Sequence, residues 1–162
     1  VHNLIYVFNT NTFQTAKEYM ERYPGDDVVD MVSFDNYQFA KPGDSESLLK
    51  MSSEKYMGQI RNGLTILDSI AKAHNKIPTF AETGFETIPA KDWWTNTLWN
   101  VVKDFKISYV LVWRNHGWME SEKKFHYYGP YLNHPSAADF KKFYAEKRTL
   151  FQSDVAKENV YK

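Results

Sequence analysis

The sequence predicts an α/β fold of parallel strands alternating with helices, and three observations predict it. Four short apolar runs, at residues 4–8, 28–34, 77–81 and 107–113, read as strands covered on both faces. Helical stretches separate them, with apolar residues recurring at spacings of three and four. Each run leads into residues that can do chemistry: Asn9-Thr10-Asn11, Asp35-Asn36-Tyr37, Glu82-Thr83-Gly84 and Arg114-Asn115 after Trp113. Strand–helix alternation implies parallel pairing and right-handed crossovers. The four strand ends then line one mouth, the edge where α/β folds handle ligands. Four such units suit a small open sheet or half of an eight-fold barrel, whose usual size is about 250 residues. Only Val1-His2-Asn3 precede the first run, with no signal-peptide pattern. That abrupt opening favours half a barrel, a piece whose beginning lies elsewhere.

The elements follow in order. Leu4-Ile5-Tyr6-Val7-Phe8 is the first strand. Thr12 is a plausible cap for a helix whose face carries Phe13, Ala16, Met20 and Tyr23, and Pro24-Gly25 stops it. The second strand, Val28 to Phe34, ends at Asp35-Asn36-Tyr37. A loop from Gln38 to Glu46 precedes a long helix over Ser53 to His74, with Met57, Ile60, Leu64, Leu67 and Ala71 as its buried stripe. Gly63 inside it costs about 1 kcal/mol relative to Ala, so packing must hold that helix. The third strand is Ile77 to Ala81, with Glu82 at its carboxyl end and Thr83 to Ala90 as a loop. Trp94, Leu98, Val101 and Phe105 mark a third helix, and Ile107 to Trp113 is the fourth strand. Arg114 to Pro135 is the longest irregular region, and its Trp, Tyr and His content argues for function over disorder. Ser136-Ala137-Ala138-Asp139 resembles a capping box opening a helix on Phe140, Phe143 and Tyr144, and the polar tail from Gln152 is expected to fray.

Composition narrows the function. Over 162 residues, Lys plus Arg and Asp plus Glu balance at 20 each, so no net field draws the chain to nucleic acid or an anionic membrane. No run reaches the roughly 18 apolar residues of a membrane span. Cysteine is absent, which excludes thiol catalysis, disulfides and Cys-based zinc sites. No glycine-rich phosphate loop occurs, and no cofactor is implied. His116, His126 and His134, with Glu120, have no metal-ligand spacing. Aromatic residues make up 17% of the chain, suiting either a large core or a surface that stacks on sugar rings.

Retaining glycoside hydrolysis needs two carboxyls about 5–5.5 Å apart, one ionised to attack the anomeric carbon and one protonated to assist departure. The nucleophile wants a hydrogen-bond donor that aims it and keeps it charged. It also wants an aromatic floor for the sugar. Glu82, Tyr37 and Trp113 supply these parts from three strand ends, and Asp35 shares a strand face with Tyr37. Taken singly, Glu82 reads as a strand-end carboxylate paired with a cation, and the two rings as packing residues. Glu86 reads as a solvated or substrate-touching loop carboxylate. Lys123-Lys124 and Lys141-Lys142 read as solvated charge, and Phe125-His126-Tyr127-Tyr128 as an aromatic wall of the cleft.

At these residues the chain resembles glycoside hydrolase family 26, chiefly β-mannanases built on (β/α)8 TIM barrels. The matching segments are Tyr23-Pro24-Gly25-Asp26-Asp27, Val32-Ser33-Phe34-Asp35-Asn36-Tyr37, Ala81-Glu82-Thr83-Gly84, Trp93-Trp94-Thr95, Tyr109 to Asn115, and His134-Pro135-Ser136-Ala137-Ala138-Asp139-Phe140. They run in the family's order across nearly the whole chain. The resemblance implies that residues 1–162 are the C-terminal half of the catalytic barrel, strands five to eight, without the N-terminal half. It assigns Glu82 as nucleophile, Tyr37 as the group that orients it, and Asp35, Trp113 and Asn115 to substrate binding. The family's acid/base glutamate follows a histidine on the fourth strand, and no His-Glu dipeptide occurs here. The expected function is therefore a retaining endo-β-1,4-mannanase completed by its missing half, with β-mannan or manno-oligosaccharide as substrate. The family also implies a secreted, periplasmic or cell-surface location. A non-catalytic polysaccharide-binding module, or a relative acting on mixed-linkage β-glucan or β-xylan, is the alternative.

Overall fold

The computed structural model describes residues 3–158. Val1 and His2 of the abrupt opening, and the end of the polar tail, lie outside the described residues. The main sheet is built from β1 (Val7–Thr10), β2 (Met31–Gln38), β3 (Ile77–Pro78), β4 (Phe80–Phe85) and β5 (Val110–Val112). Every pairing in it is parallel, in the order β1, β2, β4, β5, with β3 beside β2 ahead of β4. The strands follow one another in chain order with no reversal. A doubly wound sheet reverses its order at a switch point, whereas a barrel wall runs round in sequence.

The helices lie on one face. The centre of that layer is α2 (Glu46–His74), set against β2 and β3, with α1 (Ala16–Met20) beside it. Ser45 caps α2 by accepting from the Leu48 amide, and Asn75 ends it in the left-handed conformation at φ 52°. The helix starts seven residues before the expected Ser53. Its first two turns leave Leu48 and Met51 exposed, so they carry no apolar stripe from which periodicity could be read. Along the rest, Tyr56, Ile60, Leu64, Leu67, Ile70 and Ala71 are buried. Gly63 is there because Phe34 of β2 lies against it: a Cβ would stand 2.8 Å from the ring. The packing that offsets the glycine is thus a strand–helix contact that a side chain would block.

Other boundaries moved for physical reasons. Leu4, Ile5 and Tyr6 are exposed and precede β1, while β1 extends to Thr10. Of the expected face, Phe13 is buried and Met20 and Tyr23 pack partly buried against the core, while Ala16 is exposed. Tyr19 adds a buried ring that the face did not include, and the cap of α1 is Thr15 rather than Thr12. The Tyr19 hydroxyl accepts from the Ser33 amide at 2.9 Å and lies 3.0 and 3.1 Å from the Ser33 and Phe8 carbonyls. It pins β1 to β2. The third helix begins as a π-helical segment, Trp94–Trp99, and continues as α3 (Asn100–Val102). Trp93, Trp94 and Leu98 are buried there against Tyr56, Phe85 and Phe140.

The long region after β5 contains an antiparallel hairpin, β6 (Gly117–Met119) and β7 (Lys124–His126). Then come α4 (Ala137–Tyr144) and α5 (Gln152–Lys157), the latter formed where fraying was expected. The capping box at Ser136 does not form. Instead, Asp139 reaches back to the Thr95 amide at 3.0 Å and the Thr95 hydroxyl at 2.6 Å, capping the π-helical segment from outside. The two outer strands leave apolar residues in the open, Val7 on β1 and Leu111 on β5. No helix of the described residues is long and apolar enough to cross a membrane.

Candidate active site

The site gathers along β2 and β4 towards their carboxyl ends. Glu82 lies inside β4, which continues to Phe85 where a loop from Thr83 was expected, because Asn36, Tyr37 and Gln38 of β2 go on pairing with Thr83, Gly84 and Phe85. Asp35 stands opposite Glu82 and Tyr37 opposite Gly84, so period-two alternation puts Asp35, Tyr37 and Glu82 on one face. The odd-numbered residues of β2 look away from the helices. Its even-numbered ones look towards them, as Gln38 shows by bonding Ser53 and accepting from Trp93 Nε1 at 2.8 Å.

Strand β4 would break this pattern if it were regular, because Phe80 would then share a face with Glu82. A β-bulge resolves the conflict. Phe80 stands opposite Val110 and Thr83 opposite Val112, three residues on one strand against two on the other. Both Phe80 and Thr83 therefore turn to the helices, Phe80 stacking on Phe34 at 4.9 Å and Thr83 bonding Tyr56 at 2.5 Å. Glu82 is left aimed into the mouth. Bulges recur beside active sites because they re-aim one side chain. The Ala81 amide within this bulge is satisfied by the Ser33 hydroxyl at 2.8 Å. Nothing in the sequence pattern announces Ser33; only a register count between two strands finds it.

Tyr37 donates its phenol to Glu82 Oε1 at 2.7 Å. Burial, followed by the bond to Glu82 and that group's charge, pushes the phenol far above its ordinary range, so it stays protonated and acts only as a donor. Asp35 lies on the same wall with one oxygen, Oδ1, buried and unpartnered. Burial raises its carboxyl above the usual carboxylate value, a hydrogen bond from Asn9 pulls down, and the Glu82 charge raises it further. A cleft of about 470 Å³ opens here, bounded by Asp35, Tyr37, Glu82, Phe39, Ser52 and Lys55.

Trp113 and Asn115 lie one strand further on. The Trp113 amide donates to the Thr83 carbonyl at 2.9 Å, and the residue borders a separate apolar cavity of about 840 Å³ along β5. That cavity is lined also by Trp94, Leu98 and Phe140, and Trp113 is not among the residues bounding the Glu82 cleft. The Asn115 amide is largely spent on the chain. Its oxygen accepts from the Tyr128 and Gly129 amides at 2.9 and 2.7 Å, and its nitrogen donates to the Gly129 carbonyl at 3.0 Å. One N–H remains for a ligand.

Glu86, expected to be solvated or to touch substrate, forms the latch of the hairpin. It receives Lys124 at 3.0 Å and His126 at 2.8 Å. Burial raises its carboxyl, but these two partners outweigh burial and leave it below its ordinary value of 4.5. Lys124, read as free charge, also pairs with Glu122 at 2.8 Å. The next residues, Thr87 and Ile88, have positive φ, costly for β-branched side chains. Thr87 is held there by its amide bond to the Tyr127 carbonyl and by His134 on its own carbonyl. His134 is buried. It accepts the Ser136 amide on Nδ1 at 3.1 Å, so its Nε2–H faces Thr87. Among the described residues, no three His, Cys, Asp or Glu converge as a metal site.

Parallel strands in chain order, helices on one face and a carboxylate–phenol pair at the strand ends define part of a (β/α)8 barrel with its site on the carboxyl-terminal rim. The chain belongs to glycosyl hydrolase family 26, whose model matches residues 1–115. It is 40% identical to a GH26 β-mannanase from Bacteroides ovatus, covering 94% of this chain and 40% of that one at a TM-score of 0.80. The protein GH26C from a Muricauda species is 28% identical, with 95% and 39% covered and a TM-score of 0.72. The catalytic domain of a Bacillus endo-β-1,4-mannanase shares the fold at 22% identity, with 99% and 43% covered and a TM-score of 0.79. The chain thus spans about 40% of the length of the structures it matches.

Proposed function

We propose that residues 1–162 are the C-terminal half, strands five to eight, of the catalytic barrel of a retaining endo-β-1,4-mannanase. The carrying observation is the 2.7 Å bond from the Tyr37 phenol to Glu82 at the rim of two adjacent strands. Glu82 attacks the anomeric carbon of a β-mannoside and forms a glycosyl ester. The departing oxygen takes its proton from an acid/base carboxyl on the N-terminal half. Water, deprotonated by that same group, then attacks the ester and releases Glu82. Tyr37 keeps Glu82 ionised and aimed, while Asp35, Trp113 and the free N–H of Asn115 hold the sugar at the cleavage point. General acid–base help is worth about 10²–10⁴-fold, so this half alone is expected to be nearly inert. The family supports action in a secreted, periplasmic or cell-surface setting.

Mixing the two halves and assaying mannan cleavage tests the reading. Activity should appear only in the mixture and fall on the order of 10⁴-fold or more with Glu82→Ala, as when a covalent nucleophile is removed. Equal activity in that variant would take Glu82 out of the mechanism. Tight binding of manno-oligosaccharide by this chain alone, with no cleavage on adding the other half, would favour a binding module.

A further inference from the structure

We propose that Tyr128 is a positioning residue that sets the orientation of Tyr37 and, through it, of Glu82; this rests on the reading of Glu82 and Tyr37 above. Four features of the loop after the hairpin converge on that ring. Tyr128 is 8% exposed, although it lies in an irregular segment at the mouth. Its ring meets Tyr37 edge-to-face at 5.5 Å and His126 at 5.2 Å. It occupies the space beside Tyr37 where β4 would otherwise carry a side chain, because Gly84 stands opposite Tyr37 in the sheet. A Cβ on Gly84 would stand 2.3 Å from the Tyr128 ring. Finally, its backbone is fixed from the segment after β5, since the Asn115 side chain holds the amides of Tyr128 and Gly129.

These features explain one another. A phenol bonded to one carboxylate oxygen can still swing about its χ1 and χ2 axes unless its ring is walled. On one flank the aromatic neighbour of Tyr37 is Phe39, at 6.4 Å, and Phe39 is 81% exposed. The buried wall is Tyr128. Gly84 is glycine because this wall needs the room, and its own backbone needs no left-handed conformation. The Tyr128 hydroxyl has no hydrogen-bond partner among the described residues, so the ring itself carries the role. The hairpin latch of Glu86 on Lys124 and His126 and the Asn115 clamp hold this ring from both sides.

The test uses the complete enzyme. Tyr128→Phe should keep kcat and KM. Tyr128→Ala should lower kcat about three- to tenfold, the size of an aromatic edge contact, with KM changed less than twofold. Tyr37→Phe combined with Tyr128→Ala should be no slower than Tyr37→Phe alone. Multiplying effects, or an unchanged kcat in Tyr128→Ala, would overturn the proposal. A second readout needs no turnover. With ¹³C-labelled tyrosine, the Tyr37 ring resonance should move in Tyr128→Ala and stay put in Tyr128→Phe. That shift, with Glu82→Ala still active, would uphold the packing relation while removing the catalytic reading. A Tyr37 signal indifferent to both variants would sink the inference even if Glu82 proves to be the nucleophile. Gly84→Ala gives a last check: its loss of melting temperature should shrink in the Tyr128→Ala background, and an undiminished loss would contradict the contact.

Discussion

The inner strands β2 and β4 and the outer strands β1 and β5 share one sheet but are held in different ways. On β2, Val32, Ser33 and Phe34 are at most 1% exposed, and the Ser33 amide, the Ala81 amide and the Thr83 hydroxyl are each bonded to a neighbouring element. On the outer pair, Leu111 is 42% exposed and Val7 36%, with nothing among the described residues beyond them. The contrast separates a region whose packing this chain completes from one that it leaves open. The Tyr37–Glu82 pair is set by contacts inside this chain, whereas the outer strands present apolar surface and unpaired backbone of the kind a further strand would cover.

The largest test of that contrast compares Phe34→Ala with Leu111→Ala in this chain. Phe34 fills the space between Phe80, Phe13 and Gly63, so its loss should cost about 3–5 kcal/mol by chemical denaturation. Leu111→Ala should stay within about 0.5 kcal/mol until the other half is added. Similar costs for both would erase the distinction between inner and outer strands. Next comes Ser33→Ala, which strands the Ala81 amide inside the bulge. It should cost about 1–3 kcal/mol, and it should lower kcat in the complete enzyme as Glu82 loses its aim. A stability loss without any kinetic effect would separate the bulge from the chemistry.

Two smaller effects follow pH. Burial holds His134 below its ordinary value of 6.5, against an opposing bond to the Thr87 carbonyl. The unfolded chain then takes up the proton first, so its stabilising contribution is complete above pH 6.5 and declines as pH falls through and below that point. Melting curves from pH 8 to 5 should show this slope, and His134→Gln should flatten it. Glu86, held below 4.5 by Lys124 and His126, contributes above 4.5 and loses that contribution as pH falls further. Its partial exposure limits the effect to about 1 kcal/mol or less. Hydrogen exchange of β6 and β7 should therefore quicken in acid and in Glu86→Gln, with β2 unaffected. Equal quickening of β2 would show that the latch is not local.

Much of this was readable without coordinates, because it depends on short-range pattern. The apolar runs that became β2 and β4, the stripe Ile60, Leu64, Leu67 and Ala71, and the pairing of Tyr37 with Glu82 all rest on periodicity and on a motif order specific to one family. The misses share a different cause. The early start of α2 rests on a cap and two exposed turns with no stripe. Tyr19 joined the predicted face of Phe13, Met20 and Tyr23 in the core because its hydroxyl finds backbone partners on two strands. Glu86 and Lys124 looked solvated because their partners are 38 residues apart in sequence. The hairpin hid in a region whose side chains alternate too briefly to declare strands.

Residue order alone determined the α/β class and the consecutive parallel units, which follow from period and spacing, and it singled out Tyr37 and Glu82 through the motif order of one family. Tertiary structure alone decided the bulge that turns Glu82 into the mouth, the serine that satisfies it, and the tyrosine lodged over Gly84. The reason is physical. A one-residue slip in strand register reverses every facing, and that slip depends on what the neighbouring strands and helices will accept.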